Sequence, residues 1–220
     1  MKILAIETSG KTFSIALSEE NKIIASFYCD YGHIHSEMLI PSIERLLKDT
    51  KTSFESIDKF AVSVGPGSFT GIRIGMTATK IFAQLLNKPI FTIDTLSILE
   101  KPFIGIKGVK VVAAIDALRN EVYIKHKNII IIKNINLFIK DLKKYKNKVL
   151  IVGTAATVYK ELIIAKLGEY TVSLPDITHS PKAEHLATLA YQSTKSTNYI
   201  KAHPLYIRRL CVEETIKIKN

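Results

Sequence analysis

Cysteine is scarce in this chain, and the signatures that usually announce chemistry are missing. Its two cysteines, Cys29 and Cys211, stand far apart without CxxC spacing, which suits a reducing cytosol better than a disulfide framework. No run of about 18 apolar residues occurs, as a membrane helix requires; the longest aliphatic patch, Ile129 to Ile132, is strand-sized. The opening Ile3-Leu4-Ala5-Ile6 meets an acid at Glu7 and then Thr8-Ser9-Gly10, so it reads as a first strand and lacks the long apolar core of a secretion signal. A cytoplasmic chain without membrane contact is the expectation. Histidines occur at 33, 35, 126, 179, 185 and 203, and no two have the four-residue spacing that would let a helix chelate a metal. No GxSxG elbow is present for a serine nucleophile. Neither a metal nor a catalytic residue is therefore expected.

What is present begins with charge. A net charge of +11 over 220 residues invites a nucleic-acid reading, since lysines that neutralise phosphates supply most non-specific affinity. Lysine provides nearly all of it, in a chain also rich in Ile and Asn, as an AT-biased genome would produce. Only Lys140, Lys143, Lys144, Lys146 and Lys148 are dense, and a helix end with a solvated face accounts for them.

Three strand-like runs, Ile3–Ile6, Phe13–Leu17 and Ile23–Tyr28, are joined by short polar turns, which favours an antiparallel meander. Ser36–Lys48 carries Leu39, Ile40, Ile43, Leu46 and Leu47 at helical spacing, with Ser36 as N-cap, Glu37 in the first turn and Pro41 just inside. Phe60–Val64 then reads as a buried strand, Ser68–Leu86 as a long helix and Ile90–Ile93 as a strand. The order, three strands, helix, strand, helix, strand, is that of a ribonuclease-H-like half. Val111–Ala114 ending at Asp116, then Glu121–Lys127, repeats the opening; Leu150–Gly153 followed by a helix over Ala155–Leu167 repeats Val62–Gly65 and its helix. This is a degraded internal duplication. Pro102, Gly105 and Gly108 break the periodicity near Lys101–Lys107, so lobes of 1–104 and 105–220 are expected, the second holding a last helix, Lys182–Ser193, and an extended tail.

The densest motif is Gly65-Pro66-Gly67-Ser68-Phe69-Thr70-Gly71-Ile72-Arg73-Ile74-Gly75, between a strand and a helix. Helix N-terminal amides attract anions, so Glu7, Gly65, Gly67, Ser68 and Thr70 are candidates for holding a nucleotide. The segment is neither a P-loop nor GxGxxG. The other reading is packing: Gly71 and Gly75 leave a small-residue strip, and the helix is apolar over more of its girth than one core face needs. On that reading a partner is met through Leu39, Ile43, Gly71, Ile72, Gly75, Met76 and Thr79. Glu7 and Asp116 sit where an actin-like ATPase would organise metal and water; as plain strand-end acids they need no such role.

These residues resemble the family of the tRNA threonylcarbamoyladenosine biosynthesis protein TsaB. The resemblance rests on Ile3–Ser9, His35–Pro41, Gly65–Gly75, Ala114–Ala117, Asn120–Tyr123 and Pro204–Arg208, running from end to end. It implies a two-lobed actin-like (ASKHA) fold of two ribonuclease-H-like halves. It also implies a non-catalytic subunit that binds and stabilises a catalytic paralogue, TsaD, with an ATPase, TsaE, joining the assembly. That complex transfers a threonylcarbamoyl group from an adenylate to N6 of an adenosine beside the anticodon of tRNA. ATP or ADP at the complex interface, tRNA bound through the complex, and a homodimer of the chain alone belong to the same expectation. Some relatives carry a glycoprotease label, for which no peptidase constellation is visible here. The alternative function is an actin-like ATPase or kinase using Glu7 and Asp116.

Overall fold

The computed structural model describes residues 1–30, 35–126, 128–168, 171–172 and 179–207. His33, Lys127, Arg208 and Cys211 lie outside the described residues.

The first sheet has strands β1 (Lys2–Glu7), β2 (Phe13–Glu19), β3 (Lys22–Cys29), β4 (Lys59–Ser63) and β5 (Ile90–Ile93), in the order β3-β2-β1-β4-β5. The first three form the antiparallel meander, while β4 and β5 add in parallel, with Ile6 opposite Ile15 on one side and Val62 on the other. β1 is apolar at successive positions because both faces of the sheet are covered. Leu4, Ile6, Phe60 and Val62 pack under α1 (His35–Asp49) and α2 (Phe69–Leu86), meeting Leu39, Ile43, Met76 and Ala83. Ile3, Ala5, Ala16 and Ala61 point the other way, as the two-residue period of a strand demands.

The helix covering that second face comes from the far end of the chain. It is α7 (Ala183–Gln192), which buries Ala183, Leu186, Ala187 and Ala190 on β1 and β2. Ser14 of β2 accepts the Ala183 amide at 2.8 Å and so serves as its cap. The tail follows: Thr197 pairs with Ile90, and Leu205 N donates to Val64 O at 2.8 Å. The boundary expected at 104 therefore holds only for the crossing between sheets. The C-terminal helix and tail belong to the first lobe, because without them one face of its sheet would lie bare.

The second sheet, β6 (Val109–Asp116), β7 (Glu121–His126), β8 (Ile129–Asn134), β9 (Lys148–Val152) and β10 (Thr171–Val172), has the order β10-β9-β6-β7-β8. Counted from its own first strand, this is the order and orientation of the first sheet, so the duplication read from sequence is present in the topology. One face carries α4 (Ile135–Leu142), α5 (Thr154–Val158) and α6 (Lys160–Leu167). The helix expected as one piece over 155–167 breaks at Tyr159, whose backbone leaves the helical region and whose hydroxyl donates to Asp116.

Between the sheets lies α3 (Thr95–Glu100), which no sequence pattern announced. Ile98 enters the first lobe's core, while Leu96 and Leu99 pack on Ala113, Ile115, Leu150 and Val152 of the second sheet. Its N-cap Asp94 accepts the Ser97 amide at 2.9 Å, and Glu100 accepts the Ala113 amide at 3.0 Å. One short helix is thus built into both lobes.

Candidate functional site

The glycine-rich segment turns the chain from β4 into α2 and presses that helix onto the β1–β2 turn. A Cβ on Gly71 would stand 2.1 Å from the carbonyl oxygen of Thr8, and one on Gly75 would stand 2.2 Å from the Thr8 hydroxyl. Only glycine admits this approach. The small-residue strip expected to meet a partner is therefore filled by the chain's own turn: Gly71 and Gly75 are buried internal contacts. Two amides at this junction are occupied as well: Ser68 N donates to Ser9 O at 2.7 Å and Gly71 N to Ser68 Oγ at 3.1 Å.

Among the nucleotide candidates, Glu7 is fully buried. Its Oε1 accepts both the amide and the hydroxyl of Ser9 at 2.6 Å. Burial pushes its pKa above the ordinary carboxylate range, opposed by the hydrogen bonds from Ser9. Gly65 is buried, with its carbonyl accepting from Thr95 N, whereas Gly67, Ser68 and Thr70 are exposed. Asp116 ends β6 as Glu7 ends β1. It is half-buried and holds the Tyr159 hydroxyl at 2.9 Å and the Leu118 amide at 3.1 Å, while Thr154 accepts its own amide. The Tyr159 phenol is pushed up to about 12, by desolvation first and then by Asp116. Each acid is thus engaged by its own lobe, and Glu7 has no surface through which to reach a metal or a phosphate. The residues present do not fit an actin-type nucleotide site within this chain. Among the described residues, no three His, Cys, Asp or Glu side chains converge as a metal site would need.

What is open lies on the outer side of α1 and α2. A groove of about 500 Å³ runs between them, lined by Ser36, Ile40, Phe69, Arg73, Ile74, Thr77 and Ile81, with Leu39 and Ala78 in its floor. Ile81 is 50 % exposed and Leu85, one turn on, 71 %; Met38, Ile40 and Phe69 are also exposed. The residues expected to meet a partner sit one arc further round. Met76 is 3 % exposed, Thr79 fully buried, and Ile43 and Ile72 nearly so. Leu39, Ile43 and Met76 belong to the core over the first sheet. That part of the reading is corrected: both helices are apolar on two arcs, and the residues chosen from the sequence are the inner one. Pro41 and Glu37 lie on the exposed side of α1, which starts at His35, so Ser36 lies in its first turn and is not its cap.

The tail shapes one end of the groove. Arg73 lays its guanidinium over the Phe69 ring, 3.8 Å from the centroid, and donates from Nε to the Tyr206 hydroxyl at 3.0 Å. Phe69 and Tyr206 pack with centroids 5.8 Å apart. Arginine and aromatic side chains held in place before binding are what protein interfaces use as anchors.

Two lobes of matching strand order joined about a central helix define an actin-like (ASKHA) protein. The family model described as "TsaD: tRNA N6-adenosine threonylcarbamoyltransferase" matches residues 31–137. A Bacillus subtilis protein, tRNA threonylcarbamoyladenosine biosynthesis protein TsaB, is 32 % identical over 199 residues, covering 86 % of each chain. Its Escherichia coli namesake is 34 % identical over 125 residues, 56 % of this chain and 53 % of that one. Among solved structures, YeaZ from Pseudomonas aeruginosa superposes with a TM-score of 0.70 at 24 % identity, over 93 % of this chain and 99 % of that one. The chain belongs to the TsaB family.

Proposed function

We propose that this chain is a non-catalytic subunit of the machinery that forms N6-threonylcarbamoyladenosine in tRNA, and that it works by holding the catalytic paralogue TsaD. The observation that carries this reading is the groove between α1 and α2. Both lobes already have buried cores, yet Ile40, Phe69 and Ile81 remain exposed around this groove. A chain that lived alone would hide so continuous an apolar face. Pairing TsaD there, helix against helix, removes it from water and lends the enzyme a rigid support.

On the same reading TsaE joins the assembled pair and tRNA is bound by the complex as a whole. Without TsaD, a second copy of this chain covers the same face as a homodimer. ATP or ADP, where the complex holds it, rests at the interface on groups of the partners, since the Ser68 and Gly71 amides are engaged internally. Among the described residues, no helix is long and apolar enough to cross a membrane. The actin-like ATPase or kinase alternative draws no support from the fully buried Glu7.

The test is reconstitution. TsaD, TsaE and the enzyme that forms the adenylate are combined with tRNA, with and without this chain, and modified adenosine is scored. Modification that needs the chain, from a chain that alone turns over no ATP, is the expected result. Equal modification in its absence, or ATP turnover by the chain alone, would reject the scaffold role.

A further inference from the structure

The second lobe has a feature that the partner groove does not use. α4 buries Ile135, Phe138, Ile139 and Leu142 at helical spacing, so its polar side and the segment after it stay in solvent. There Lys143, Tyr145 and Asn147, facing Lys166 and Leu167 at the end of α6, enclose a hollow of about 320 Å³ with Leu142 and Val149 beneath. That is the low end of ligand-pocket volumes, a size for one nucleotide. Tyr145 is half exposed, and Lys110 Nζ stands 5.5 Å from its ring centroid.

Among the described residues, little opposes the positive charge around this hollow. Asp141 is the one acid between Lys140 and Lys148, and it is taken by Lys133 and Lys144, which hold its carboxyl down to about 2. Lys110, Lys140, Lys143, Lys146, Lys148 and Lys166 have no ion-pair partner among the described residues. A merely solvated face would spread its lysines over a convex surface. Here two of them line a concavity with an aromatic wall, the combination that binds single-stranded nucleic acid: cations for the backbone, a ring for a base.

We propose that this hollow binds single-stranded RNA, with a phosphodiester between Lys143 and Lys166 and a base against Tyr145. The site deepens the tRNA-modification reading and rests on it only for which RNA is bound. An acidic protein segment would use the lysines but leave the aromatic wall without a role.

The experiment is fluorescence anisotropy of a labelled 12-nucleotide single-stranded RNA, and of a duplex of equal length, titrated with the full chain at several salt concentrations. Lys143→Glu with Lys166→Glu is expected to weaken single-strand binding at least tenfold. It should also flatten the log–log salt slope by about 0.7, the value for one phosphate contact on a single strand. Tyr145→Ala is expected to weaken binding several-fold with the slope unchanged. Lys143→Gln with Lys166→Gln, which removes charge without reversing it, should give the same direction with a normal circular dichroism spectrum. Unchanged affinity in the double variants overturns the site; so does equal duplex binding with no effect of Tyr145→Ala. TsaD pull-down is read in parallel, and variants that lose RNA yet keep TsaD are expected. A wild-type chain that ignores TsaD but shows lysine-dependent RNA binding would count against the scaffold reading and for this site.

Discussion

Lys125 donates to Asp94 Oδ2 at 2.9 Å, tying β7 of the second lobe to the cap of α3 at the edge of the first. Both side chains are about one-fifth exposed, so the pair is only partly screened by water. The same carboxylate caps α3 through Ser97, and removing it removes both functions. Asp94→Ala is expected to cost about 2–3 kcal/mol in urea unfolding, against ~1 kcal/mol for Lys125→Met, which leaves the cap in place. Equal losses would mean that the bridge between lobes contributes all of the effect and the cap none.

Gly71, in the first turn of α2, would ordinarily invite replacement, since alanine is favoured over glycine in a helix by up to about 1 kcal/mol. Here the added Cβ meets the backbone oxygen of Thr8 at 2.1 Å, and backbone cannot swing aside as a side chain can. Gly71→Ala should therefore destabilise by about 1–3 kcal/mol through overpacking, read as a lower urea midpoint with unchanged slope. A stabilised variant would show that α2 does not press on the β1–β2 turn as described.

Burial raises the pKa of Glu7 above its ordinary 4.5, so the folded chain keeps a proton over a range where the unfolded chain has lost it. Stability from this group is complete below about 4.5 and declines as pH rises through the folded value, by at most ~1.4 kcal/mol per pH unit. Glu7→Gln, which carries no ionisable proton, is expected to flatten that decline. Superimposable pH profiles for the two chains would mean that Glu7 is as ionised in the folded state as in the unfolded one.

Much of this was legible in the sequence because it is local. The apolar run Ile3–Ile6, the helical spacing of Leu39 to Leu47 and the glycines at 65–75 each carry their structure within a few residues. What stayed hidden was set by distant contacts. α3 is six residues long, too short for a period to show, and its place between lobes depends on Leu96 meeting a sheet that starts at Val109. α7 reads as amphipathic, but nothing in its sequence says that Ser14, 169 residues away, will cap it. The partner face failed for a related reason. Periodicity reveals that α2 has two apolar arcs, while only the position of Thr8 decides that the arc of Gly71, Gly75 and Met76 turns inward.

That choice of arc is also where the account is most exposed to test. Met76→Glu puts a charge into the first lobe's core and should leave the isolated chain unfolded or aggregated by circular dichroism, without informing on partners. Ile81→Glu places the same charge on the outer arc, where water receives it until a partner arrives. The decisive measurement is the affinity of Ile81→Glu for TsaD by titration calorimetry, beside the wild-type chain. Leaving an unpaired carboxylate in a closed interface costs several kcal/mol, ~1.4 of which is already tenfold. A folded variant with wild-type circular dichroism and affinity reduced a hundredfold or more is the predicted result. A folded Ile81→Glu chain that binds TsaD as tightly as wild type would contradict the assignment of this groove as the surface that holds the enzyme.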